Sequence, residues 1–212
     1  MLYKSLRYRI LMDKEVSEEF CSLIGILAGD SASPDFWTAF LSDFEPPSDD
    51  NDVVLGGVAV GNLEQADDMV LFSLSPLGLQ RKLDYVWRYG SVNFLLVNAI
   101  KTLTMIFGPI PVDVCSFHFN GVPIGFTDEY TYVGVTFASN FRNIFAKQYT
   151  VKALKARTIA NAVFAIESFV GSLPPLQGKH LYNARVDPHL TAACEISIDV
   201  DLWLLAPLQN IF

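Results

Sequence analysis

The stretch Leu63-Glu64-Gln65-Ala66-Asp67-Asp68-Met69-Val70-Leu71-Phe72 decides how the rest of the chain is read. Ahead of it, Val53–Leu63 is β-branched and glycine-containing, a strand pattern with a turn at Gly56–Gly57. Behind it, Met69–Ser73 is a second short apolar strand. The two predict a hairpin whose tip is Gln65-Ala66-Asp67-Asp68. Adjacent carboxylates repel each other, and Asp is a poor strand former. A divalent cation would remove that conflict, because Mg²⁺ takes carboxylate oxygens and keeps several waters. In two-metal phosphoryl transfer such carboxylates clamp the attacking and leaving oxygens. An ordinary solvated turn suits the same residues, since Asp is common in turns. Both readings stand on the residues alone.

Working outward, Ser75–Pro76 starts a helix with Leu79, Leu83, Val86 and Trp87 on one face. Asn93–Asn98 turns the chain, and Leu103–Phe107 reads as a strand. Asn120–Gly121 between Phe117–Phe119 and Pro123–Phe126 is a hairpin signal. Tyr130–Phe137 reads as a strand and Arg142–Phe169 as a long helix ending near Gly171, with a last helix from about Leu176. On the N-terminal side, Leu2–Val16 alternates loosely and reads as a helix end running into a strand hairpin, and Phe20–Leu27 is apolar. Pro34 then opens a helix capped by Ser33 that runs through Trp37, Phe40 and Leu41 and stops before Pro46–Pro47. Strands and helices do not alternate as βαβα units. The class is therefore α+β, with residues 1–138 mixed and residues 139–212 helical.

Composition narrows the function. The chain has 212 residues, 51% apolar and 18% charged, which excludes intrinsic disorder. Its net charge of −8 argues against a simple nucleic-acid-coating protein. The charge is uneven, however: residues 1–60 hold eleven acids and four bases, while residues 141–185 hold seven bases and the single acid Glu167. Cys21, Cys115 and Cys194 form no CxxC pair, so neither a disulfide scaffold nor a zinc knuckle is encoded. No secretory signal or membrane span is read. The expectation is a soluble protein, nuclear or cytoplasmic, that is neither secreted nor membrane-bound.

Three further features carry chemistry. Gly25-x-x-x-Gly29-Asp30-x-x-Ser33-Pro34 combines glycines that let backbone approach a ligand with a helix start that attracts phosphate. It also reads as a plain loop-to-helix joint. Lys101, after Asn98, is suited to a phosphate or to the open surface. The bases at 142–157 do not share one helical face. His118, His180 and His189 lie near no Cys or paired acid at ligand spacing and read as structural.

In their order, these pieces resemble the reverse transcriptases of non-LTR retrotransposons, above all those scattered through fungal genomes. The resemblance runs from about Leu2 to the end. Gly25 to Pro34 resembles the family's template- and nucleotide-positioning loop and helix. Leu63 to Phe72 resembles the catalytic hairpin, usually an aromatic residue, Ala, Asp and Asp, with Gln65 in the aromatic place. Leu79-Gln80-Arg81-Lys82-Leu83 resembles the helix that follows. Asn98 to Thr102, with Met105 to Gly108, resembles the next palm motif. Phe119 to Ile124 and Tyr130 to Val135 resemble the primer-grip region.

The resemblance implies a partial polymerase palm, an antiparallel sheet with helices on one face, over residues 1–138. A helical thumb-like region would follow over residues 139–212. It implies RNA-templated DNA synthesis with Mg²⁺ as the family's cofactor, bound weakly or not at all by this chain, and an RNA template, a DNA primer and deoxynucleoside triphosphates as partners. Asp67 and Asp68 would be catalytic metal ligands. Gly29, Asp30, Ser33, Pro34 and Lys101 would meet nucleotide and template, and Tyr132, Val133 and Gly134 the primer. The fingers and the first palm strand, which brings the family another metal-binding Asp, are expected to be missing. A lone chain is then expected to be inactive. The alternatives are a nucleic-acid-binding remnant that uses residues 142–185, and an unstable relic product.

Overall fold

Hairpin turns set this architecture. Asp13–Lys14, Gly56–Gly57, Asn120–Gly121 and Val133–Gly134 each put two consecutive residues at positive φ. That geometry lets a two-residue loop match the twist of its strands. The structure, a computed structural model, describes residues 6–21, 25–27, 29–48, 50–110 and 112–196. Parts of the expected Leu2–Val16 and Phe20–Leu27 segments, and Ala28 of the glycine motif, lie outside the described residues. The class is mixed α+β, with small antiparallel sheets. Among the described residues, no helix is long and apolar enough to cross a membrane.

The chain divides into two compact units, Met1–Leu96 and Val97–Phe212. Position 138/139, the boundary expected from the sequence, is where the last described strand gives way to helices. In the first unit, β1 (Leu11–Met12) and β2 (Glu15–Val16) form a hairpin, followed by α1 (Ser33–Phe40). Next come two further hairpins, β3 (Val53–Leu55) with β4 (Val58–Val60), and β5 (Asn62–Gln65) with β6 (Asp68–Leu71). The unit ends in α2 (Pro76–Val92). Ser75 caps α2 as its sequence suggests, accepting a hydrogen bond from the Gly78 N–H at 3.0 Å.

Ser33 does not cap α1. It sits inside the first turn, and its hydroxyl donates to the Leu27 carbonyl at 2.6 Å. Ala32 occupies the cap position, and the Ser33 hydroxyl ties the preceding loop to the helix instead.

α2 buries Gly78, Lys82, Leu83, Val86 and Gly90. Leu83 and Val86 were expected there from their helical spacing, but Lys82 was not. Phe44 is the apolar anchor on the other side: it packs edge-on to Tyr89 at 4.9 Å and tilted against Tyr85 at 5.5 Å.

The second unit opens with β7 (Leu103–Thr104), shorter than the strand expected over Leu103–Phe107. β8 (His118–Phe119) and β9 (Val122–Pro123) form the Asn120–Gly121 hairpin, and β10 (Gly125–Phe126) pairs in parallel with β7. Tyr130–Phe137 is not one strand. It is the hairpin of β11 (Glu129–Tyr132) and β12 (Val135–Ala138), because Gly134 lets the chain reverse at its centre.

α3 (Ala146–Val170) follows and ends at Gly171, whose φ is +83°. Then come α4 (Pro175–Leu181), one π-helical turn over Tyr182–Val186, and α5 (Asp187–Thr191). Ala156 and Ala160 of α3 pack on Val186. Small side chains there admit the wider π turn at close range.

Candidate active site

The acidic pair sits where its sequence places it, at the free end of the β5–β6 hairpin. The register pairs Gln65 with Asp68 and Asn62 with Leu71, leaving Ala66–Asp67 as the two-residue loop. The expected four-residue tip is therefore two residues tighter. Asp67 is a loop residue and Asp68 the first residue of β6, and both side chains are exposed. Ala66 adopts φ +55°, a left-handed conformation that costs a non-glycine residue about 1–2 kcal/mol.

Two side chains from elsewhere in the first unit hold this hairpin at its two ends. At the tip, the indole N–H of Trp37 donates to the Ala66 carbonyl at 2.6 Å. Trp37 lies on α1, the helix that opens with Ser33 and Pro34, and stacks on Phe40 with centroids 5.7 Å apart. At the base, the Lys82 ammonium forms an ion pair with Asp52. It also donates to the Phe72 carbonyl at 2.7 Å and lies 3.4 Å from the Gly61 carbonyl. Gly61 and Phe72 flank the two strands and bond to each other, Phe72 N–H to Gly61 O at 2.8 Å. Lys82 is 1% exposed, so its charge is balanced wholly within the protein.

Sequence reasoning missed both anchors. Lys82 was quoted only as part of a helix, and Trp37 only as an apolar periodicity. The signal for Lys82 was a cation on the inward face of α2, one residue before Leu83. The signal for Trp37 was an indole, whose N–H seeks an acceptor wherever the ring packs.

The remaining candidates are placed as follows. Gly29 is exposed with φ +86°. The Asp30 carboxylate accepts from the Ala32 N–H at 3.4 Å, and Ser33 and Pro34 begin α1. The structure thus brings the end of the glycine motif and the acidic hairpin together through α1.

Lys101 belongs to the second unit. Its side chain is exposed, and its N–H closes a turn on the Asn98 carbonyl at 3.1 Å. Tyr132, Val133 and Gly134 form the β11–β12 turn, where Val133 has φ +47° and Gly134 φ +78°. Gln148 of α3, 1% exposed, holds this hairpin: its side-chain oxygen accepts from the Thr136 N–H at 2.8 Å, and its amide donates to the Gly134 carbonyl at 3.5 Å.

Near the acidic hairpin, burial pushes the Glu64 carboxyl up, opposed by the Asn62 amide, which donates to it at 2.6 Å. Burial, then the hydrogen bond to Asp43 and the Asp43 charge, push the Tyr89 phenol up to about 12. Among the described residues, no three His, Cys, Asp or Glu side chains form a metal-holding group. The donors present at the tip are two exposed carboxylates. These are hard oxygen ligands of the kind Mg²⁺ takes one or two at a time, leaving its other positions to water and phosphate. The residues therefore fit the ion chemically. Comparison with known proteins finds no family model and no curated protein that matches this chain.

Proposed function

We propose that this chain is a palm-and-thumb portion of a reverse transcriptase of the non-LTR retrotransposon kind, whose activity is Mg²⁺-dependent RNA-templated DNA synthesis. The observation that carries the reading is the acidic pair at the end of a tight antiparallel hairpin, bonded by Trp37 to the helix that begins with Ser33 and Pro34. Asp67 and Asp68 would hold the metal. When bound, it would stabilise charge on the oxygens of an in-line nucleotidyl transfer.

The chain's own residues do the positioning. The glycine-rich loop from Gly29 and Asp30 into α1 presents backbone to template and nucleotide. Lys101 offers a cation to a triphosphate. The Tyr132–Gly134 turn presses on a primer strand, and the helices from α3 onward act as the thumb. Among the described residues the tip offers two carboxylates, fewer than the family's metal site uses, so the lone chain is expected to be inactive.

The test is primer extension on an RNA template with Mg²⁺, run beside Mn²⁺ titration of the purified chain. The expected result is no extension, with Mn²⁺ broadening the Asp67 and Asp68 amide signals and Asp67→Asn removing the effect. Extension abolished by Asp67→Ala would overturn the inactivity. Absence of any Mn²⁺ effect at the tip would overturn the assignment of the hairpin.

A second reading has its own observation. Arg142, Lys155, Arg157, Lys179 and Arg185 are exposed, and among the described residues none of them forms a salt bridge. They suit phosphate binding that does not involve Asp67 at all.

A further inference from the structure

A hairpin of two four-residue strands is marginal in water, so the aim of the residues at its tip depends on what holds it. Here the strands make no wider sheet among the described residues, and most of β5 is exposed. The base is fixed by the Lys82 ammonium through Gly61 and Phe72. That bond lies at the far end of the strands from the carboxylates, and it leaves the tip free to twist. The contact that reaches the tip is the indole of Trp37, which donates to the carbonyl of Ala66, the residue directly before Asp67. The peptide that carries this carbonyl is also the peptide whose N–H belongs to Asp67. Rotating it turns Asp67 with it. Ala66 is held at φ +55°, where it is strained, and a hydrogen bond to its carbonyl favours that peptide orientation over relaxed ones.

We infer that Trp37 is a positioning residue for the acidic pair: its indole N–H sets the peptide before Asp67, and through it the direction in which Asp67 and Asp68 face a divalent cation. Trp37 touches neither metal nor substrate in this role. The inference rests on the hairpin being a metal-binding one, as proposed above. It extends that reading by making α1 a part of the metal site's construction. The chemistry needed is specific to the N–H, because a phenyl ring in the same place keeps the stacking on Phe40 and loses the bond.

The probe is Mn²⁺ alone, titrated into the full chain, with broadening of the Asp67 and Asp68 amide signals giving the affinity. Trp37→Phe is expected to weaken Mn²⁺ binding about fivefold while leaving the unfolding midpoint nearly unchanged, as fits loss of one exposed hydrogen bond that orients ligands. Unchanged affinity in Trp37→Phe, where the wild-type chain binds and Asp67→Asn does not, would overturn the positioning role and leave the metal hairpin standing. No Mn²⁺ effect at the tip of the wild-type chain would overturn both.

Should Trp37→Phe fail to fold, the wild-type protein still decides. The Trp37 indole proton is expected to broaden with Mn²⁺ alongside the Asp67 amide. An indole proton that stays sharp while the Asp67 amide broadens would overturn the role.

Discussion

Tyr89 donates its phenol proton to an Asp43 carboxylate oxygen at 2.6 Å, with the Phe40 carbonyl 3.1 Å away. Burial and the Asp43 bond raise its pKa from 10.0 to about 12. The folded state therefore keeps a proton that the unfolded chain gives up near pH 10. Stability from this group is complete below pH 10 and is lost as pH rises toward 12, because over that window the unfolded state binds fewer protons. Urea unfolding from pH 9 to 12 is expected to show this fall, and Tyr89→Phe is expected to flatten it. An equal fall in both proteins would place the cause elsewhere. Val133 is a second residue-scale case. A β-branched side chain at φ +47° is strained, and Val133 is 52% exposed, so it gains little by burial. Val133→Gly is expected to stabilise the chain by up to about 1 kcal/mol, against the usual direction for Val to Gly, read as a higher unfolding midpoint.

At the scale of elements, Lys82 of α2 forms a buried ion pair with Asp52, the residue before β3, and bonds to the Phe72 carbonyl at the base of the β5–β6 hairpin. Lys82→Met would leave the Asp52 carboxylate buried without its cation and is expected to cost about 3–5 kcal/mol in urea unfolding. Adding Asp52→Asn is expected to recover most of that loss, because the uncompensated charge, more than the lost contact, sets the penalty. A double variant no more stable than Lys82→Met would contradict this account. The same pair shows where sequence reading stopped. Gly56–Gly57, Asn120–Gly121 and Ser75–Pro76 announce turns and a helix start through local backbone chemistry, and the structure has them there. The acidic hairpin was legible too, because turn residues interrupt two apolar runs. The hairpin inside Tyr130–Phe137 was hidden, since only Gly134 marks it within a strand-like run. Trp37 to Ala66 and Lys82 to Asp52 span 29 and 30 residues. No local pattern encodes such a pairing. Ser33 was misread as a cap because the helix begins one residue earlier than its Ser-Pro start suggests, with Ala32 at the cap position.

Over the whole molecule, charge separates the two units more sharply than secondary structure does. Met1–Leu96 carries seven Lys and Arg against fifteen Asp and Glu, a net of −8, whereas Val97–Phe212 carries eight of each. All of the chain's net charge thus belongs to the unit with the acidic hairpin, where a nucleic acid is repelled unless cations screen it. Within the neutral second unit, Arg142, Lys155, Arg157, Lys179 and Arg185 are exposed and spread over the loop before α3, α3 itself, α4 and the π turn. Bases distributed in this way reach only some of the phosphates of one strand at a time, about two or three. Counterion release then predicts that the logarithm of the affinity for single-stranded RNA falls against the logarithm of salt with a slope of about −2. Asp67→Asn should leave that slope unchanged, and Lys155→Gln with Arg157→Gln should bring it nearer to zero by about one unit. Binding that ignores salt, or a slope that responds to Asp67 and not to Lys155 and Arg157, would remove the second unit from nucleic-acid contact and return any such binding to the acidic hairpin and its metal.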